Sequence, residues 1–328
     1  MGKTLIEWTR GDDGSLGRTW NPLRGCTKVS AGCAFCYAEA VAARFSGPGQ
    51  PYEGVVRDGR WTGTVKLVRE HLSDPLRWAK PRRVFVNSMS DLFHEDVPDE
   101  YIAAVFGVMA AAPRHTFQVL TKRPERMVRW FSGPGRAIDW TEAAASWLDN
   151  DGARGALLGS QERAYNARTG GKPLPNVWLG VTVENQHAAE DRIPLLVQAP
   201  AAVRFLSVEP LLGPVDLAYA AFNGADSVGT LPGIGWVIVG GESGPHARPC
   251  ERKWIADVVA DCRRADVPVF VKQLGARYSD PVNGVAGASL QVPADLVRVA
   301  RRLVHRKGGD PAEWPEALRI QEFPHGAR

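Results

Sequence analysis

Cysteine is scarce: the chain has five in 328 residues. An odd count with three clustered argues against a disulfide framework and for a compartment where thiols stay reduced. No apolar run approaches the roughly 20 residues of a membrane helix. The opening MGKTLIEWTRGDDG lacks the apolar stretch of a secretory signal. A cytoplasmic location with no membrane partner is therefore expected. Charge of one sign is lacking too. Forty Lys and Arg against 36 Asp and Glu leave +4, which permits a nucleic-acid partner without demanding one. Neither an internal repeat nor a low-complexity stretch occurs, which excludes solenoids and repeat arrays. What is present is a globular composition, 44% hydrophobic and 23% charged, in a chain long enough for one large domain or two ordinary ones.

Short β-branched or aromatic runs recur at 83–89 (RVFVNSM), 116–121 (TFQVLT), 177–183 (VWLGVTV), 203–208 (VRFLSV), 236–241 (WVIVGG) and 267–272 (VPVFVK), with one more strand expected near 19–23. They alternate little, as strands buried on both faces do. Helical patterns fill the gaps at 99–112, closed by Pro113, and at 185–197 and 251–265. This alternation predicts repeated right-handed crossovers. It fits an α/β fold of the full or partial TIM-type barrel kind, with a doubly wound open sheet as the competing reading. Residues 1–290 read as the barrel domain, with an insertion over about 132–175 that covers one face and holds a short helix near 141–148. Residues 291–328 read as a C-terminal extension packed on the barrel, carrying a basic amphipathic helix, ADLVRVARRLVHRKGG, over 294–309.

Three cysteines, Cys26, Cys33 and Cys36, fall in RGCTKVSAGCAFCYAEAV with C-x6-C-x2-C spacing. Structural zinc closes with four ligands. Here there is one C-x2-C pair and no histidine in the loop, so Cys250 would have to be a distant fourth. A thioredoxin-like pair of Cys33 and Cys36 leaves Cys26 without a role. A 4Fe–4S cluster on three thiolates leaves its fourth iron open to another ligand. The loop follows the first expected strand and precedes a helix starting near Tyr37, which is where barrel enzymes keep their active sites. Cys36 then stands at a helix N-terminus, which favours the thiolate. Cys262 falls on the apolar side of its helix and reads as core.

With Phe35 just before the last cysteine, CAFC in a first strand–helix loop resembles the radical S-adenosylmethionine superfamily. The common motif there is C-x3-C-x2-C; this chain has six residues in the first gap. Through WNPLRGCTKVSAGCAFCYAE, KPRRVFVNSMSDLFHEDVP, FQVLTKRPE, LGVTVEN, FLSVEPLLGP, VGGESG, VKQLG and WPEALRIQEFP, nearly the whole chain resembles a phage- and actinobacteria-associated three-cysteine-motif family of unknown function. SMSDLF followed by QVLTK resembles spore photoproduct lyase, a carbon–carbon lyase that repairs a thymine dimer in DNA. These resemblances imply a 4Fe–4S cluster whose open iron chelates S-adenosylmethionine. They also imply a 5′-deoxyadenosyl radical and an electron donor such as flavodoxin or ferredoxin. The expected enzyme acts on nucleic acid, in repair or modification. Two alternatives stand: the same chemistry on a peptide or small molecule, and a non-catalytic zinc- or cluster-stabilised nucleic-acid-binding protein.

Polar residues just after barrel strands point at the site. They are Ser88, Ser90 and Asp91, then Thr121 and Lys122, Glu184 and Asn185, Glu209, and Glu242. The resemblance implies that such ends hold the cofactor, with Ser88 and Ser90 facing its amine and Glu184 and Asn185 its ribose. The family's Gly-Gly-Glu after the second strand is absent, while VGGESG supplies one after the sixth expected run. The basic segments AKPRRV and TKRPERMVRW offer Arg82, Arg83, Lys122, Arg123, Arg126 and Arg129 as a positive track for phosphates. Trp130 and Phe131 could stack bases beside it. A solvated helix face is the plain alternative.

Overall fold

The computed structural model describes residues 3–148, 151–221, 230–281, 298–300 and 303–324. Seven strands make the main sheet: β1 (Arg18–Trp20), β2 (Arg83–Val86), β3 (Thr116–Thr121), β4 (Val177–Thr182), β5 (Val203–Val208), β6 (Trp236–Gly240) and β7 (Val269–Gln273). Their order in the sheet is their order in the chain. The pairs β1–β2, β2–β3, β3–β4 and β6–β7 are parallel. Every residue of β2, β4 and β6 is buried, so these strands read as continuous apolar runs rather than alternating ones.

An order without reversal winds one way, as a β/α barrel does, and lacks the switch point of a doubly wound sheet. Among the described residues, β1 and β7 end the order. The outer edge of β7 is already paired. Val271 N donates to Ile320 O at 2.8 Å, and Glu322 N donates to Val269 O at 3.0 Å. Among the described residues the fold is thus a mixed α/β one built on a seven-stranded sheet in barrel-like order, and a full barrel is not shown.

Seven helices matter for the argument: α1 (Tyr37–Ala42), α2 (Asp99–Ala111), α3 (Pro124–Ser132), α4 (Trp140–Trp147), α5 (Gln161–Thr169), α6 (Gln186–Gln198) and α7 (Arg252–Arg264). By contacts, the described chain divides into two compact units. One holds residues 3–181 and 195–205, the other 182–194 and 206–324. In the first unit, Trp8 packs on Phe85 with ring centroids 4.7 Å apart, and Trp20 on Phe117 at 5.7 Å. The segment expected as an insertion is helical and packs against α2. Phe106 lies 5.1 Å from both Trp130 and Trp140. Gly107 permits that approach, since a Cβ there would stand 2.0 Å from the Trp140 carbonyl oxygen. From Tyr101 onward α2 is buried all round, which explains its unbroken apolar sequence.

In the second unit the tail joins the core. Phe323 stacks on Trp236 at 5.7 Å, and Trp314 is buried. Of the basic helix expected over 294–309, residues 294–297 and 301–302 lie outside the described residues. Arg298–Ala300 instead form a strand antiparallel to Tyr278–Pro281, and 303–309 contain no helix. Pairing with an open strand edge there overrides the helical period. No described helix is long and apolar enough to cross a membrane.

Candidate functional site

The cysteine loop leaves the sheet through a fixed point. After β1, Leu23–Arg24 pairs antiparallel with Lys66–Leu67, and Gly25 bridges to Ser90. Gly25 has φ +94°, and a Cβ on it would stand 2.1 Å from Thr64 O, so only glycine fits. Cys26 follows. Cys33 ends the single turn Ala31–Cys33, and Cys36 is the extended residue before α1. All three thiols are free and half-buried, whereas Cys250 and Cys262 are free and fully buried.

The loop is clamped on its far side as well. Tyr37 Oη donates to Ser88 O at 2.6 Å. Lys28 pairs with the buried Glu39 of α1 at 2.8 Å. The other Glu39 oxygen accepts from Trp61 N at 2.9 Å. That bond ties the loop to a hairpin of Val56–Arg57 and Arg60–Trp61.

Asp91 and Arg123 form a hub against Cys26. The Asp91 carboxylate accepts from Thr121 Oγ1 at 2.7 Å, Phe93 N at 3.0 Å, Lys122 N at 3.1 Å and Arg123 Nη1 at 3.0 Å. Arg123 Nη2 donates to Thr27 Oγ1 at 2.7 Å and Thr27 O at 3.1 Å, while Nη1 reaches Cys26 Sγ at 3.8 Å. Burial pushes the Cys26 thiol up to about 11; Asp91 adds to the rise and Arg123 opposes it. His94 is held below its usual range by burial and by Arg123. Its Nδ1 accepts from Asp96 N at 3.1 Å, so Nε2 carries the proton and donates to Thr27 Oγ1 at 2.9 Å. Thr27, Lys28 and Glu39 were not singled out in the sequence, and His94, among the histidines nearest the loop, sits far along the chain from it. The eleven-residue spacing of Lys28 and Glu39 is not a helical one and gave no signal.

The expected cofactor residues are mostly committed to the fold. Ser88 Oγ donates to Asn21 Oδ1 at 3.2 Å and Ser90 Oγ to Leu23 O at 3.1 Å. Beside them stands Asn87, which the sequence reading passed over. It is 3% exposed and has φ +57°. Neither its side-chain oxygen nor its nitrogen has a partner among the described residues. In the second unit, Glu184 pairs with Arg192 at 2.8 Å. Asn185 Oδ1 accepts from Ala188 N at 2.9 Å and caps α6. Glu209 takes Lys272 Nζ at 2.8 Å on both oxygens, and Gln273 Nε2 at 3.0 Å. Glu242 takes three bonds from Arg248, at 2.6, 2.8 and 2.9 Å.

Only part of the expected positive track reaches the surface. Arg83, Arg123 and Arg126 are buried. Arg83 pairs with Asp12, Arg123 with Asp91, and Arg126 with Asp99 at 2.7 Å. Arg129 pairs with Glu95 at 3.1 Å. Arg82 and Lys122 are half-buried. A guanidinium taken into the interior must bring its counter-ion, so the charges of Arg83, Arg123 and Arg126 are spent within the fold, while the Arg129–Glu95 pair lies at the surface. Trp130 and Phe131 are buried with α2 and cannot stack bases.

Among the described residues, no three His, Cys, Asp or Glu side chains already converge as metal ligands. A family model described as a protein of unknown function (DUF5131) matches residues 3–308. No curated protein and no solved structure matches the chain.

Proposed function

We propose that the chain, which belongs to the DUF5131 family of proteins of unknown function, holds a 4Fe–4S cluster on Cys26, Cys33 and Cys36 and works as a radical S-adenosylmethionine enzyme on nucleic acid. The observation that carries this reading is the donor set. Three free, half-exposed thiols share one loop beyond the carboxyl end of β1, while the other two cysteines are sealed in the core. Three thiolates suit three irons of a cubic cluster, whereas zinc would need a fourth ligand. Closing the loop round a cluster draws the thiols together between the anchors at Gly25 and Tyr37. The intervening Lys28, Val29, Ala31 and Phe35 are exposed.

When bound, the cluster with S-adenosylmethionine supplies a 5′-deoxyadenosyl radical that abstracts a hydrogen atom from the substrate. The chain's own part is to anchor the loop on the strand ends and to keep polar groups facing the cofactor. The buried Asn87 amide suits that second task better than Ser88 or Ser90, whose hydroxyls already donate to neighbours. For a nucleic-acid backbone, the exposed Arg44, Arg57 and Arg60 near the loop replace the row at 82–129. A one-electron donor of the flavodoxin or ferredoxin class completes the system.

Anaerobic reconstitution tests the reading. The expected product is a brown protein with about four irons per chain. It is lost on Cys→Ala at any of positions 26, 33 or 36 and kept in Cys262→Ala. Added S-adenosylmethionine should alter the electron paramagnetic resonance of the reduced protein, and dithionite should then release 5′-deoxyadenosine. Stoichiometric zinc without iron overturns the cluster. An unaltered spectrum with intact cofactor overturns the radical chemistry. The substrate class is read by binding to irradiated and intact duplex at two salt concentrations. Arg57→Glu with Arg60→Glu should weaken binding and flatten its salt slope.

A further inference from the structure

We propose that Arg123 is the positioning residue of the thiol loop, setting a fixed guanidinium against Cys26 and raising the reduction potential of the cluster held there. The proposal rests on the cluster reading above and adds a residue to it.

Arg123 is 7% exposed and is held from four sides. Its backbone N donates to Thr121 Oγ1 at 2.9 Å. Nη1 is bound to Asp91 and Nη2 to both oxygens of Thr27, and the same Nη1 that meets Asp91 also faces Cys26 Sγ at 3.8 Å. The guanidinium therefore bridges the end of β3 to loop residues 26–27 and has no slack to move away. Asp91 is equally fixed, since its oxygens take two backbone N–H groups and the Thr121 hydroxyl besides Arg123. An ion pair between Asp91 and Arg123 alone would not require contact with sulfur. The fork is turned so that one donor serves both.

One-electron reduction adds one negative charge to the loop's metal centre. A cation touching one of its sulfurs favours the more negative state, and hydrogen bonds to sulfur act the same way. The partly buried surroundings keep that effect unscreened. Asp91 meets the same Nη1 and acts with the opposite sign. The two residues therefore have opposed effects on potential, although both help to hold the loop.

The test is potentiometry of the reconstituted full-length protein, followed by electron paramagnetic resonance, with dithionite as the one-electron reductant. Arg123→Met should shift the potential to more negative values, and Arg123→Lys should restore most of the shift. Removing both charges, in Arg123→Met with Asp91→Asn, should bring it back toward wild type. Single loss of Arg123 leaves Asp91 buried and unpaired, which can unfold the loop. In that event the double variant is compared with Asp91→Asn alone and should be the more negative of the two. A residue that merely props the loop would change iron content and thermal stability and leave the potential of the retained centre unmoved; that result overturns the proposal. Wild-type protein that takes up no iron overturns the underlying reading as well, and shows itself before any variant is compared.

Discussion

Asn87 combines two unfavourable features. Its backbone lies at φ +57°, and its amide is buried with no partner among the described residues. A non-glycine residue in that backbone region costs on the order of 1 kcal/mol, and each unmet buried polar atom about 1–3 kcal/mol. Replacing Asn87 by Gly removes all three terms. Against this stand the greater freedom of Gly in the unfolded chain, about 0.5–1 kcal/mol, and the lost packing of a small side chain. The removed terms amount to about 3–7 kcal/mol, so even their lower end leaves a gain of about 1–2 kcal/mol after these offsets, which at roughly 2–4 °C per kcal/mol for a unit of this size raises Tm by at least some 2–8 °C. Differential scanning calorimetry of the iron-free protein reads this directly. Asn87→Asp, which buries a charge in the same place, should lower Tm. The same Asn87→Gly variant, reconstituted, should bind S-adenosylmethionine more weakly than wild type, because a costly residue is retained where it meets a ligand. A fall in Tm of several degrees would refute the reasoning, since it would mean that the amide is satisfied and serves the fold.

Two further outcomes follow from local geometry. Gly25→Ala forces a Cβ to within 2.1 Å of Thr64 O at φ +94°; it should cost about 2–4 kcal/mol and lower iron uptake, and an unchanged Tm by calorimetry would show that the take-off point is soft. His115 is 1% exposed, and burial and Arg114 push it down to about 4. The folded state keeps it neutral, while the unfolded state binds a proton below about 6.5. Stability from this group is therefore full above pH 6.5, declines as pH falls toward 4 and is level below that, a loss of ~3 kcal/mol. His115→Gln should flatten that part of the Tm-against-pH curve, and an unaltered slope would assign it to other groups.

What the sequence made legible was the buried architecture. Continuous apolar runs located six of the seven sheet strands to within a few residues, the expectation near 19–23 fell beside the seventh at Arg18–Trp20, and α2 was found because its interruption at Pro113 is local. The hairpin at Val56–Trp61 was legible in principle. VRDGRW carries the Asp-Gly turn pair, and Asp58 and Gly59 take φ +50° and +74°, as a tight hairpin turn requires. It was missed because no apolar alternation flanks it. The fate of the arginines was not legible. Arg83 finds Asp12 71 positions away, and Arg123 finds Asp91 32 positions away. Whether a basic run is a surface track or a set of buried pairs is decided by such distant partners, and no local pattern encodes them. The tail was misread for a related reason, as a strand edge at Tyr278–Pro281 claims Arg298–Ala300.

The same strand-end chemistry has different consequences in the two units. In the second, each glutamate closes on a cation of its own neighbourhood. Glu184 meets Arg192 eight residues on, Glu242 meets Arg248 six residues on, and Glu209 meets Lys272 and Gln273 of β7. These carboxylates have their charge answered, so truncating one strands a partly buried cation and falls chiefly on stability. In the first unit the pairing is incomplete by design of the geometry. Asp91 and Arg123 satisfy each other yet leave a donor turned toward Cys26, and Asn87 keeps its whole amide unmet a few residues away. A bound group completes a set of unmet partners and adds little to a closed one. The strand ends of the first unit, beside the three thiols, are therefore where an incoming ligand gains most.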